Sequence, residues 1–265
     1  MNEVRPAAVA GLFYPGSAME LQSMVQGFLS DAVVHEPGYS PKAVIAPHAG
    51  LVYSGPVAGS AFQCFAAESD LIRRVVLIGP AHRLPVRGVA LPGQDAFETP
   101  LGTVQVDQEL VEKLSDMPEI SVNAAAHAPE HSLEVELPFL QTVLPSFSVL
   151  PLLVSHARAD EVAEVLDRVW GGPETRIVIS SDLSHYLSYE AAQEMDAETA
   201  QQVLEQREPI AEDRACGARA INGLLALARR RTLLPRLLDL RNSGDTAGDR
   251  MRVVGYGSFS FTAVS

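Results

Sequence analysis

The sequence predicts a three-layer α/β/α fold around a central mixed, largely parallel sheet. Short, apolar, β-branched runs recur along the chain and helical patterns separate them. No linker-like stretch or internal repeat interrupts the succession, so residues 1–265 read as one domain. Near-continuous apolar runs suit strands buried on both faces of an α/β sheet. In chain order, 17–30 reads as a helix with Ser17 as its N-cap, and AVIAPHAG at 43–50 is the first buried strand with its exit loop. A helix over 56–67 follows, with Cys64 expected as a small buried residue. RRVVLIGPAH at 73–82 is the second strand, and GVALPGQDAFETPLGTVQVD reads as an antiparallel hairpin excursion. Helical patterns at 107–115 and 132–144 lead to the strand FSVLPLLVSH at 147–156, and a helix at 159–170 leads to RIVISSDLSH at 176–185. Helices at 189–206 and 216–231 precede RVVGYGSFSFTA, which alternates like a strand.

Composition narrows the function classes. With 47% hydrophobic and 20% charged residues and a mean hydropathy of +0.09, the chain is an ordinary globule rather than a disordered segment. Its 33 acidic and 20 basic side chains leave a formal charge of −13, which repels phosphate backbones and argues against a nucleic-acid or anionic-membrane binder. The start lacks a basic stretch followed by an apolar segment, and no run approaches the roughly 18 apolar residues that span a bilayer, so a cytoplasmic location is expected. Two cysteines, Cys64 and Cys216, make neither a disulfide framework nor a four-cysteine zinc site.

The histidines carry the functional signal. His48, His82, His156 and His185 lie at or just beyond the C-terminal ends of predicted buried strands, the edge where α/β sheets form ligand crevices. That coincidence has weight only if the strands are neighbours. Pro47-His48-Ala49-Gly50 and Gly79-Pro80-Ala81-His82 place each imidazole on a small, rigid turn. Asp182 precedes His185 by three residues; it either orients that imidazole or caps a turn. Glu130, Glu134 and His131 share a helical face if 130–137 is helical, with Glu134 and Glu136 expected to face solvent. His35 carries no signal and His127 little. There is no HExxH, Walker loop, GxGxxG or GxSxG, so any metal site is assembled from distant strand ends. Cys216 introduces a helical pattern whose N-terminus would lower a thiol's pKa. It reads as a nucleophile, a ligand or a small buried residue.

The segments VAGLFYPG, APHAGLVYSGPVA, VVLIGPAH, FETPLG, EHSLEVELPFL, ISSDLSHY, ACGARAI and NSGDTAGDRMRVVGYGSFSF, running in that order from about residue 5 to 262, resemble the Memo family, whose prokaryotic members are called AmmeMemoRadiSam system protein B. The family's fold is similar to that of the class III extradiol ring-cleaving dioxygenases, which use non-haem Fe(II). The resemblance implies that His48, His82 and Cys216 hold a metal, with Cys216 standing where the dioxygenases have a glutamate. A thiolate is softer than a carboxylate, so copper or zinc joins Fe(II) among the candidate ions. It further implies His185 as acid/base with Asp182 as its neighbour, and His131 as a group that polarises a substrate oxygen. The loop Asn242–Thr246 either closes the pocket or is a plain turn, and His156 has no counterpart. The expected activity is metal-dependent redox chemistry on an aromatic or small phenolic substrate. The alternative is a non-enzymatic adaptor that binds a small-molecule or peptide ligand in the same pocket. The family name also implies a pathway link to a radical S-adenosylmethionine protein and an AMMECR-type protein.

Overall fold

The computed structural model describes residues 3–33 and 39–263; His35 lies outside them. Among the described residues twelve strands join one sheet: β1 (Val4–Arg5), β2 (Ala43–Ala46), β3 (Arg74–Pro80), β4 (Val89–Leu91), β5 (Ala96–Thr99), β6 (Gly102–Val106), β7 (Ile120–Val122), β8 (Ser148–Val154), β9 (Thr175–Ser180), β10 (His185–Leu187), β11 (Leu233–Asn242) and β12 (Val253–Ala263). Its centre is the consecutive parallel set β8, β3, β9 and β2, continued by antiparallel β12. These are the four apolar runs of the sequence. Successive strand residues face opposite sides of a sheet. Val44, Val75, Leu77, Val149 and Val178 therefore enter one core, and Ile45, Val76, Ile78, Leu150 and Ile179 the other. Each fully buried aliphatic side chain contributes roughly 1.5–3 kcal/mol, which explains why continuous apolar runs are needed here.

Helices α1 (Ala18–Asp31), α2 (Leu51–Phe62) and α5 (Leu137–Val143) cover the first core. Helices α6 (Ala159–Arg168), α7 (Tyr189–Leu204) and α8 (Ala218–Arg230) cover the second, joined by α3 (Gln108–Leu114), and the single-turn α4 (Ala124–His127) follows β7. The result is the expected three layers. Ser17 caps α1, its side chain accepting from Glu20 N–H. The antiparallel hairpin is β5 with β6, whereas Val89–Leu91 leaves it to pair with β7 and β8.

Besides the short elements β1, β7, β10 and Ala124–His127, three elements differ from expectation. Helix α2 begins at Leu51 and passes into a 3₁₀ turn at Gln63–Glu68, in which Cys64 is buried. Pro56 is tolerated inside it because the carbonyl it leaves without a donor belongs to Val52, which is half exposed to water. The 132–144 helix is a 3₁₀ turn, Glu134–Glu136, followed by α5, since Pro138 has no N–H to continue the ladder backwards. Strand β11 was not foreseen. Its LLPRLLDLRN holds Pro235 and charged residues, and it is a strand because it pairs along its length with β12. At the end of the sheet where β9 begins, the single tryptophan, Trp170, is partly buried against the second core, with Lys42 Nζ 5.1 Å and Arg231 Cζ 4.5 Å from its ring centroid.

Candidate functional site

Because β8, β3, β9 and β2 are neighbours and parallel, the residues after them share one edge. His48 follows β2, His82 follows β3, and Ser181–Ser184 lead from β9 to His185 at the start of β10. His156, after β8, leaves the edge: its N–H donates to the Val86 carbonyl and its own carbonyl accepts from Gly88 N–H. The other three line one pocket of about 620 Å³ together with His131 and Asp182. Phe13, Tyr53, Tyr186 and Tyr256 supply aromatic walls, and Arg83 and Arg252 stand at its rim.

His48, His82 and His131 converge. One ring nitrogen from each lies within 4.8 Å of the others. The His82 and His131 rings stack at 4.8 Å, and His48 meets both edge-on at 5.2 and 5.5 Å. Two of the rings are held from behind. His48 Nδ1 lies 2.6 Å from Ser180 Oγ, and His82 Nδ1 lies 2.9 Å from Glu130 Oε1, which leaves both Nε2 atoms free to ligate. Such outer hydrogen bonds fix tautomer and ring orientation in metal-binding histidines. Phe13 packs on the His131 ring at 4.6 Å, and His131 Nδ1 is buried without a hydrogen-bond partner, although 3.2 Å from Glu130 Oε1. Burial holds His48 well below the usual imidazole range, reinforced by His82 and His131, and lowers His131 to about 4. Both rings are therefore neutral at pH 7, the form that binds metals.

Glu130 organises the site. Its carboxylate accepts N–H bonds from His82 at 2.5 Å, His131 at 2.9 Å and Ser132 at 3.0 Å, besides the His82 ring. Burial alone would raise its pKa. The hydrogen bond and charge of His82 and the Ser132 N–H outweigh that and bring it to about 2. Its neighbours correct the sequence reading: Glu134 and Glu136 do not face solvent but are fully buried. The helical-face argument fails because 130–133 is not helical, and the turn carries both carboxyls inward. Glu134 accepts from Arg5 Nη1 and Tyr14 Oη, each at 2.5 Å, and from Ala8 N at 2.8 Å and Val9 N at 3.0 Å. This clamp holds the segment carrying Phe13 against the pocket.

Asp182 is buried, and burial raises it to about 6, partly countered by the His185 charge and by backbone donors. Its Oδ1 accepts from His48 N–H at 2.8 Å, so its hydrogen bond serves the His48 turn while His185 feels only its field. Cys216 Sγ lies 3.4 Å from His48 Nε2 and accepts from Asp182 N–H at 3.3 Å. The expected lowering of this thiol by a helix N-terminus does not occur. Cys216 precedes α8, and burial pushes the thiol strongly up, aided by the Asp182 charge. Gly217 permits the close approach: a Cβ there would stand 2.6 Å from Ser181 Cβ and 2.7 Å from the Ser180 carbonyl. Ser243–Asp245 form a 3₁₀ turn capped by Asn242, and Ser243, Gly248 and Asp249 stand on the pocket wall.

A family model described as Memo-like protein matches residues 5–260. A MEMO1 family protein of Aquifex aeolicus is 35% identical, over 96% of this chain and 97% of its own length. MEMO1 family proteins of Nitrosopumilus maritimus and Metallosphaera sedula are 32% and 33% identical, over 97% and 95% of this chain and 99% and 97% of their own lengths.

Proposed function

The chain belongs to the Memo-like family, and from that premise we propose that its pocket binds a divalent metal, Fe(II) first and copper or zinc as alternatives, for redox chemistry on a small aromatic or phenolic molecule. The observation that carries the reading is the convergence of His48, His82 and His131, two of them tied at Nδ1. The spacing of the Cys216 and His48 donors suits such an ion. Bond lengths of about 2.05 Å to nitrogen and about 2.3 Å to sulfur put tetrahedral N and S ligands ~3.5 Å apart, and Cys216 Sγ is 3.4 Å from His48 Nε2. His48 and His82 with Cys216 are the proposed ligands, and a ring nitrogen of His131 lies within 4.8 Å of ring nitrogens of the two histidines, beside the position the ion would take.

When bound, the ion supplies Lewis-acid polarisation and, as iron or copper, electron transfer. The chain's own residues do the rest. His131 donates a hydrogen bond to a substrate oxygen, and the imidazole of His185, on the same pocket wall, takes or returns the substrate proton. Asp182 keeps the His48 turn in place. Phe13, Tyr53 and Tyr186 offer flat apolar faces to an aromatic ring. A cytoplasmic setting and a pathway shared with a radical S-adenosylmethionine protein and an AMMECR-type protein belong to the same proposal; no helix among the described residues is long and apolar enough to cross a membrane.

Anaerobic reconstitution with Fe(II), followed by metal analysis of the purified protein and of the His48→Ala, His82→Ala and Cys216→Ala variants, tests the reading. Metal retained in the parent and lost in the variants supports it. Equal retention in all four refutes it. A second reading, an adaptor that binds a carboxylated or phosphorylated small molecule or peptide without chemistry, is favoured by one observation. Arg83 and Arg252 stand at the rim of a pocket in a chain of net charge −13, and among the described residues neither side chain is in an ion pair. Ligand binding that survives a chelator would select it.

A further inference from the structure

Behind the pocket, Ser180 Oγ stands at the centre of a buried triangle. His48 Nδ1 lies 2.6 Å from it, the Ser132 carbonyl oxygen 2.6 Å and Glu136 Oε1 2.9 Å. A hydroxyl has one hydrogen and two lone pairs to share among these three. The carbonyl can only accept, and two bare oxygens 2.6 Å apart repel, so the hydrogen belongs to Ser132. Both remaining contacts must then be donors to Ser180. We propose that Glu136 is a neutral carboxylic acid whose Oε1–H donates to Ser180, and that Ser180, its hydrogen committed to Ser132, fixes His48 as the Nδ1–H tautomer with a bare Nε2 toward the pocket.

Glu134 shows what an ionised carboxyl needs in this interior: Arg5, Tyr14 and two backbone N–H groups surround it. Glu136, two residues on and equally buried, has nothing comparable. Its Oε2 has no hydrogen-bond partner among the described residues, and no cation pairs with it there. A buried charge without partners is expelled as its neutral form, and burial also pushes this carboxyl well above the usual range. Neither Glu136 nor Ser180 lines the pocket; both are positioning residues that act through His48. The inference rests on hydrogen bonds within the chain and stands whether or not the pocket holds a metal.

The test uses the metal-free full-length protein at pH 7. Infrared spectra should contain the carbonyl band of a protonated carboxylic acid that moves on ¹³C-glutamate labelling and is lost in Glu136→Gln. Nitrogen-15 NMR of the His48 ring should report a single Nδ1–H tautomer in the parent. Glu136→Gln should keep it, because the carboxamide N–H still donates. Ser180→Ala should shift it toward Nε2–H, which Cys216 Sγ can accept, while Ser180→Thr, which keeps the hydroxyl, should read as the parent. No label-sensitive acid band in the parent, or an unchanged tautomer in Ser180→Ala, overturns the proposal without touching the metal reading.

Discussion

Replacing Glu134 by alanine removes one carboxylate that four donors share. Arg5 is left as a guanidinium 1% exposed, the Tyr14 hydroxyl loses its acceptor, and the N–H groups of Ala8 and Val9 lose theirs. Breaking a buried pair by deleting one partner costs about 3–5 kcal/mol. Each orphaned buried N–H adds about 1–3 kcal/mol, less where the chain relaxes toward water, as at the exposed Ala8. A loss of about 5 kcal/mol follows, a large share of the ~5–15 kcal/mol that holds a domain folded. Urea unfolding followed by far-ultraviolet circular dichroism measures it. Arg5→Met closes a double-mutant cycle: with both charges gone, no ion is stranded, so the double variant should recover at least ~2 kcal/mol over additivity. A loss below about 1.5 kcal/mol in Glu134→Ala, or strict additivity, would refute the reasoning.

Burial raises Asp196, which accepts from Ser184 N–H and Oγ–H, to about 6. The native state therefore holds that proton more tightly than the unfolded chain does, so its contribution favours folding below pH 3.8 and is lost as pH rises through 6. Asp196→Asn should stabilise the protein at pH 7 by up to ~3 kcal/mol, two units at about 1.4 kcal/mol each, and by nothing at pH 3.5; chemical denaturation at the two pH values decides it. Glu130→Gln withdraws the carboxylate that orients His82, and titration with Zn(II) should show affinity lower by about 10–100-fold. In Gly217→Ala the new Cβ meets backbone and a short side chain that cannot step aside, so a loss of roughly 1–3 kcal/mol is expected in thermal unfolding.

The strands were legible because doubly buried β-structure demands uninterrupted apolar runs, as in VVLI and VLPLLV. β11 was not, because one-sided strands with Pro235 and alternating charge look like many other things until a partner such as β12 is known. The strand-end rule brought forward His48, His82 and His185, which line one pocket, and it equally offered His156, which turns away. Adjacency separates them, and adjacency is a property of topology. Glu134 and Glu136 were misplaced because a charged side chain in a helical pattern is normally solvated. The guanidinium that makes burial of Glu134 affordable comes from Arg5, 129 residues away. The role of Glu130 followed only from the folded turn that brings its oxygens to the N–H groups of His131 and Ser132 and, across from another strand end, of His82.

Trp170 has an optical consequence. The indole stands where β9 begins and the pocket opens where β9 ends, six residues on, or ~20 Å at about 3.3 Å per residue. A ligand entering the pocket cannot quench its emission by contact. The sole fluorophore of its kind instead reports on the two cations over its faces. Lys42 is lowered to about 8, by burial first and then by Arg176, so raising the pH through 8 removes the Lys42 charge from beside the ring. A step in emission near pH 8, unaccompanied by unfolding, belongs to this far end of the sheet, and titrations of the pocket read by fluorescence must be separated from it.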